Sequence, residues 1–144
     1  MKTVITVLAM TIAMSAQAQQ PIRIYADASL RPALSEIAAA YPAAKLQIVY
    51  GPSAVLHERI AKGERPHVFA SANMEYPHAL AKQGLAGPVR RFAHNTSDYY
   101  GLVLVEGAGE EAWYFSRFVL SPKAQAILSR HGFLPAAAVV ARKD

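Results

Sequence analysis

Apolar positions in this chain switch repeatedly between the two-residue period of strands and the longer period of helices. Ile22–Tyr25 (IRIY) reads as a strand, with Ile24 and Tyr25 on opposite faces. Leu34, Ile37, Ala38 and Tyr41 then follow helical spacing until Pro42 stops them. A second strand is predicted over 46–50, and Val55, Leu56 and Ile60 mark a second helix that Gly63 ends. His67–Ala70 (HVFA) is a third short strand. Asn73 can cap a helix running to Gly84, with Pro77 near its first turn, where a missing N–H is tolerated. Residues 86–98, rich in Gly, Pro, Asn, Ser and Asp, read as a loop, and 99–105 (YYGLVLV) is the longest strand candidate. Glu110 and Glu111 open a helix whose apolar face holds Ala112, Phe115, Phe118 and Val119, the acids suiting its positive end. Ser121-Pro122 reads as an N-cap followed by proline at the first helical position, and Gly132 ends that last helix after Arg130 and His131. The Ala-rich tail at 136–141 is expected to be an edge segment or loosely held. Three strand–helix units in succession predict an α/β fold, a mostly parallel sheet flanked by helices with right-handed crossovers.

The first residues do not fit that alternation. Lys2 supplies a short positive region, Val4–Met14 is almost unbroken apolar sequence, and Ala16-Gln17-Ala18 has the small-x-small form of a signal-peptidase site. These features predict a signal peptide at 1–18, removed on export, and one domain at 19–144. The apolar run is too short for a comfortable membrane span and nothing later resembles one, so the chain is not expected to be an integral membrane protein.

Charge narrows the partners only a little. The chain has 144 residues and a formal net charge of +5. Its arginines and lysines are scattered, with Arg90-Arg91 the only adjacent basic pair before Arg142-Lys143. Without a basic stripe interleaved with aromatics, nucleic acid is not expected as a partner. There is no cysteine, which excludes disulfides, thiolate nucleophiles and cysteine metal sites.

Two junctions carry the candidate chemistry. In YADASLRPAL (25–34) and in YGPSAVLHERI (50–60) a strand ends in small residues and a serine, and a helix begins. Ligands of open parallel sheets collect beyond the carboxyl ends of the strands. A helix start there offers unpaired N–H groups and the positive end of the dipole, which attract anions. Ser29 and Ser53 can add hydroxyl donors, while Ala26, Ala28 and Gly51 leave room to approach the backbone. The arrangement suggests an oxyanion site built from neutral donors, with no lysine or arginine in contact. The plainer alternative is that each serine caps its own helix, worth about 1 kcal/mol.

The chain resembles the periplasmic molybdate-binding proteins of ABC transporters. The resemblance rests on Ala28-Ser29-Leu30, on the segment from Ser53 to Gly63 followed by Phe69-Ala70-Ser71-Ala72, and on the C-terminal run from Tyr99 through Trp113–Leu120 to Ser121–Phe133. It spans most of 22–134. It implies a binding protein for molybdate or tungstate that serves an ABC permease, resides in the periplasm, is not an enzyme and needs no cofactor. Family members hold the oxyanion between two lobes that close about a hinge. Their first-lobe hydroxyl ligands map onto Ser29 and Ser53, with Ala28 and Ala54 beside them. The second lobe, which supplies a ligand tyrosine in the family, would be inserted between about Val89 and Tyr99. Here Arg90–Asp98 simply bridges that gap, which implies a shortened form with the first lobe alone. Tyr99-Tyr100, at a strand end near the former hinge, can present a phenol to a ligand, with Tyr99 the candidate; the plainer alternative is burial with a satisfied hydroxyl. The surface left by the missing lobe predicts self-association or a partner face around 88–100.

Two further departures stand out. Asp27 lies where the family favours alanine. Directed into the pocket, its carboxylate would repel a dianion; otherwise it faces away or bonds its own loop's backbone. His67 replaces an acid before the third strand and reads as structural. A single-lobe interaction or sensory module that has lost tight oxyanion binding is the alternative function. A zinc site beginning at His57-Glu58 fails because Ala61 stands where the second ligand is needed, and His67, His78, His94 and His131 lack ligand spacing. A Ser53–His57–Asp27 hydrolase lacks a nucleophile-elbow motif. Trp113, Tyr114, Phe115 and Phe118 are spaced as core packing rather than as a sugar platform.

Overall fold

The computed structural model describes residues 20–136, so the expected signal peptide and most of the Ala-rich tail lie outside the described residues. One six-stranded sheet organises them, with strand order β2-β1-β3-β5-β4-β6. Its strands are β1 (Ile22–Asp27), β2 (Leu46–Gly51), β3 (Val68–Ser71), β4 (Arg90–His94), β5 (Tyr99–Leu104) and β6 (Leu134–Pro135). The helices are α1 (Arg31–Ala40), α2 (Ser53–Ala61), α3 (Glu75–Lys82), α4 (Gly109–Val119) and α5 (Pro122–Arg130). β1 pairs in parallel with β2 and with β3, whereas β5, β4 and β6 join in antiparallel pairs. The sheet is thus half parallel, and the parallel half carries the two junctions.

Alternation along the strands divides the core between the two faces. Ile24, Ala26, Val68, Ala70 and Leu102 meet the buried sides of α1, α4 and α5 through Leu34, Ile37, Phe115, Val119 and Leu128. Tyr25, Phe69, Val103 and Val105 meet Leu56 and Ile60 of α2 and Leu80 of α3. Each fully buried Leu, Ile or Phe contributes about 1.5–3 kcal/mol, so the two layers fix the sheet from both sides. No described helix is long and apolar enough to cross a membrane.

The helix ends follow the expected chemistry. Ser121 Oγ accepts from the Ala124 N–H at 3.3 Å, with Pro122 next to it. Asn73 Oδ1 accepts from the Tyr76 N–H at 3.1 Å. Gly132 closes α5 at a φ of 88°. His67 is structural: its Nδ1 accepts the Arg23 N–H at 2.8 Å.

The antiparallel half differs from the expectation of a mostly parallel sheet, with two strands, β4 and β6, that the sequence pattern does not predict. Arg90–His94, within the predicted loop, forms β4 between β5 and β6. A register shift between Arg91 and Ala93 buries the consecutive residues Phe92 and Ala93, so the segment shows no two-residue period to read.

Candidate functional site

β1 and β2 run side by side, with Asp27 opposite Gly51, so their following helices start next to each other. A 3-10 turn at Ala28–Leu30 leads from β1 into α1, and Pro52 leads from β2 into α2. This parallel register brings Ser29 and Ser53 together. Both bond the same group, the side chain of Asp27.

The geometry is bidentate. Asp27 Oδ1 accepts from the Ser29 N–H at 3.0 Å and the Ser29 hydroxyl at 2.6 Å. Asp27 Oδ2 accepts from the Ser53 N–H at 3.1 Å and the Ser53 hydroxyl at 2.6 Å. Further donors fix both hydroxyls. The Ala72 N–H, just beyond β3, donates to Ser53 Oγ at 3.0 Å. Ser29 has one hydroxyl hydrogen and gives it to Asp27, so the Tyr100 phenol, 3.1 Å from Ser29 Oγ, donates to it. The result is a chain of oriented dipoles aimed at one pair of oxygens from both sides.

No cation takes part. Among the described residues Asp27 forms no ion pair with lysine, arginine or histidine. Burial alone would raise its pKa, but the hydroxyl and amide bonds from Ser29 and Ser53 outweigh burial and hold it below the ordinary carboxylate value. The carboxyl is therefore anionic at neutral pH, and neutral donors suffice to stabilise it.

The remaining sequence candidates fall out unevenly. Ala28 and Ala54 are exposed beside the serines, at the first residue of the 3-10 turn and the second of α2. Tyr99 is a correction. It is 39 % exposed and lies against the Arg91 guanidinium at 3.9 Å and the His94 ring at 5.2 Å, not against the serines. Strand alternation points its buried neighbour Tyr100 toward Ser29 instead. Tyr100 and the Ala72 N–H are the groups missing from the sequence-based site; period 2 separates Tyr99 from Tyr100 but does not tell which of them faces the serines. Asp27 turns out to bond its own loop and also to reach across to the second junction.

Other groupings do not converge. No Ser53–His57–Asp27 relay forms, because Ser53 gives its hydrogen directly to Asp27 and the His57 ring packs on Tyr76 at 5.0 Å. No group of three or more His, Asp or Glu among the described residues could hold a metal ion. A cleft of about 790 Å³ lies between α4 and β5, lined in part by Arg90, Leu102, Leu104, Trp113 and Arg117. None of the Asp27 network lines it. Within 88–100, Phe92, Ala93 and Tyr100 are buried, whereas Pro88, Arg90, Arg91, Thr96, Ser97, Asp98 and Tyr99 are exposed.

A half-parallel sheet with two serine-bearing helix starts at its carboxyl edge is the frame of a solute-binding protein. The family described as bacterial extracellular solute-binding protein matches residues 22–98, and the chain belongs to that family. No curated protein sequence matches the chain. Solved structures do. The substrate-binding domain of a putative molybdenum ABC transporter from Clostridium difficile is similar at a TM-score of 0.75 and 14 % identity, covering 80 % of this chain and 98 % of that one. The periplasmic molybdate-binding protein of Azotobacter vinelandii is similar at 0.71 and 13 %, covering 78 % and 98 %. Peb3 from Campylobacter jejuni, also solved with L-phospholactate bound, is similar at 0.57 and 12 %, covering 78 % and 99 %. At such identities the likeness shows a shared fold.

Proposed function

We propose that the chain is the exported substrate-binding component of an ABC transporter and that it holds a tetrahedral oxyanion of the molybdate or tungstate class. It works in the periplasm after loss of residues 1–18, without enzymatic activity or cofactor, and its protein partner is the permease. The observation that carries this reading is the convergence of four donors from two junctions on two oxygens that share one negative charge. A carboxylate and one edge of a tetrahedral oxyanion offer those donors the same thing. The names of similar structures support the ligand class, since molybdate and the phosphate group of phospholactate are both tetrahedral oxyanions.

In this reading Ser29 and Ser53 are the anion ligands, and the exposed starts at Ala28 and Ala54 let a guest reach the backbone. Tyr100 and Ala72 orient the two hydroxyls. The short link between Val89 and Tyr99, folded as β4, leaves a single lobe, so a guest stays open to water on one side. Each hydrogen bond there nets only about 1 kcal/mol, and affinity is correspondingly modest. The exposed residues within 88–100 are the region on which a partner or second copy docks. A strict monomer by sedimentation at high concentration would count against self-association.

Isothermal titration of the mature chain with molybdate, tungstate, sulfate and phosphate tests the ligand. Heat with molybdate or tungstate that is lost in Ser29→Ala and in Ser53→Ala supports the assignment; unchanged affinity in both variants leaves the serines as caps. The occupied state of the cradle favours one second reading, an interaction or sensory module that no longer binds oxyanions tightly. Silence with all four anions, in the wild type and in Asp27→Ala alike, would select it.

A further inference from the structure

We infer that Asp27 is a tethered competitor for the oxyanion cradle, so that a guest anion binds only by displacing its side chain. This rests on the oxyanion reading above and adds to it the device that sets the site's selectivity.

The inventory of donors makes the case. Each serine has one hydroxyl hydrogen, and both are given to Asp27, as are both serine N–H groups. The hydroxyl oxygens are themselves engaged by Tyr100 and Ala72. Nothing on the two serines is left to offer a guest while Asp27 is seated. A dianion that approached without displacing the carboxylate would also meet like charge, since Asp27 forms no ion pair among the described residues.

Tethering makes the competitor strong. Asp27 lies two residues from Ser29, so its carboxylate is held beside the cradle at an effective concentration far above that of any free anion. The apparent affinity for a guest is then the intrinsic affinity multiplied by the fraction of molecules in which Asp27 has swung out. Weakly held anions such as sulfate and phosphate fail to displace it. Only an anion with high intrinsic affinity for the neutral donors fills the site. Displacement is sterically open, since Asp27 is only partly buried and Ser29, Ala28 and Ala54 around it are exposed. Asp27 therefore acts on specificity through the serines rather than as a ligand itself.

Isothermal titration of sodium molybdate into the full mature chain, its Asp27→Ala variant and its Asp27→Asn variant provides the test, with folding checked by circular dichroism. The expected result is molybdate binding at least about tenfold tighter in Asp27→Ala than in the wild type, a difference of ~1.4 kcal/mol, with measurable sulfate binding appearing only in the variant. Asp27→Asn should fall between, because its amide keeps an acceptor for one serine and turns a donor toward the other. Equal affinity in all three overturns the competitor and leaves the oxyanion site standing; no binding in any of them overturns the site itself. Should both variants fail to fold, the Asp27 carboxyl carbon resonance of the wild type decides. It shifts on addition of saturating molybdate if the side chain is displaced, and stays fixed while heat is released if the anion binds elsewhere.

Discussion

Helix α2 has a carboxylate at each end, and the two are held in opposite ways. At its start Asp27 receives hydroxyls and amides from Ser29 and Ser53 and forms no ion pair among the described residues. Beyond its end Glu64 is gripped by Arg59, whose Nε lies 2.8 Å from Oε2 and whose terminal nitrogen lies 2.7 Å from Oε1, and it accepts the Tyr25 hydroxyl at 2.5 Å. The helix dipole explains the contrast. Its positive end favours an anion and needs only neutral donors, whereas a carboxylate beside the carbonyl end requires a guanidinium to offset the local negative potential. A carboxylate held without a cation is the ground for the proposal that a different anion can take its place. The Glu64 clip, with Arg59 also lying 4.8 Å over the Tyr25 ring, is a structural fastening between α2 and β1.

Removing single groups should separate the two ends. The largest effect is expected for Ser53→Ala. Ser53 is 6 % exposed, and its loss strips Asp27 of a charge-assisted bond and leaves the Ala72 N–H without its acceptor. A loss of about 2–3 kcal/mol is expected, readable as a lower urea midpoint at unchanged slope. Asp27→Ala should cost less, about 1–2 kcal/mol, because Ser29 is exposed and Asp27 only partly buried, so water can reach the Ser29 donors that the substitution releases. Glu64→Gln should move stability least at the dipole's negative end, and its effect should shrink in molar salt, where screening acts within ~3 Å. The Asp27 and Ser53 effects rest on short bonds to neutral donors and should survive that salt.

Acid titration sharpens the same contrast. Arg59 first, then Tyr25, holds the Glu64 pKa down from 4.5 to about 2. Asp27 is also lowered, its hydrogen bonds overcoming burial. A carboxylate with a depressed folded pKa contributes stability above its unfolded value and loses it as pH falls through the folded one. Urea midpoints should therefore fall below the ordinary carboxylate range, and the fall should be shallower in Glu64→Gln. His67 acts earlier. Burial first, then Arg23, lowers its pKa, and its neutral Nδ1 accepts the Arg23 N–H. The neutral form is favoured in the fold, so its contribution is present above 6.5 and fades as pH drops below that value. His67→Gln should flatten that first step.

The parallel half of the sheet was legible because each of its elements keeps a clean period and each junction carries its own punctuation. Ile24 and Tyr25 separate onto opposite faces as alternation requires, and the two serines meet because parallel register places Asp27 beside Gly51. The antiparallel half was harder to read. The bulge in β4 makes Phe92 and Ala93 both buried, and two arginines precede them, so local chemistry resembled a loop. Tyr99 was preferred to Tyr100 because nothing local tells which face of β5 turns toward the serines; only the pairing with β3 and β4 decides it. Asp27 was recognised as out of place for a dianion site, yet its reach to Ser53 depends on a contact 26 residues away in sequence. Such a contact leaves no local trace.

The central claim is that the two serine junctions form one anion cradle, with Asp27 as its resident occupant. Molybdate titrated calorimetrically into Asp27→Ala and into the triple variant Asp27→Ala/Ser29→Ala/Ser53→Ala tests it most directly. Saturable binding in the first and none in the second is predicted. Equal binding in both would place the anion elsewhere and contradict the account.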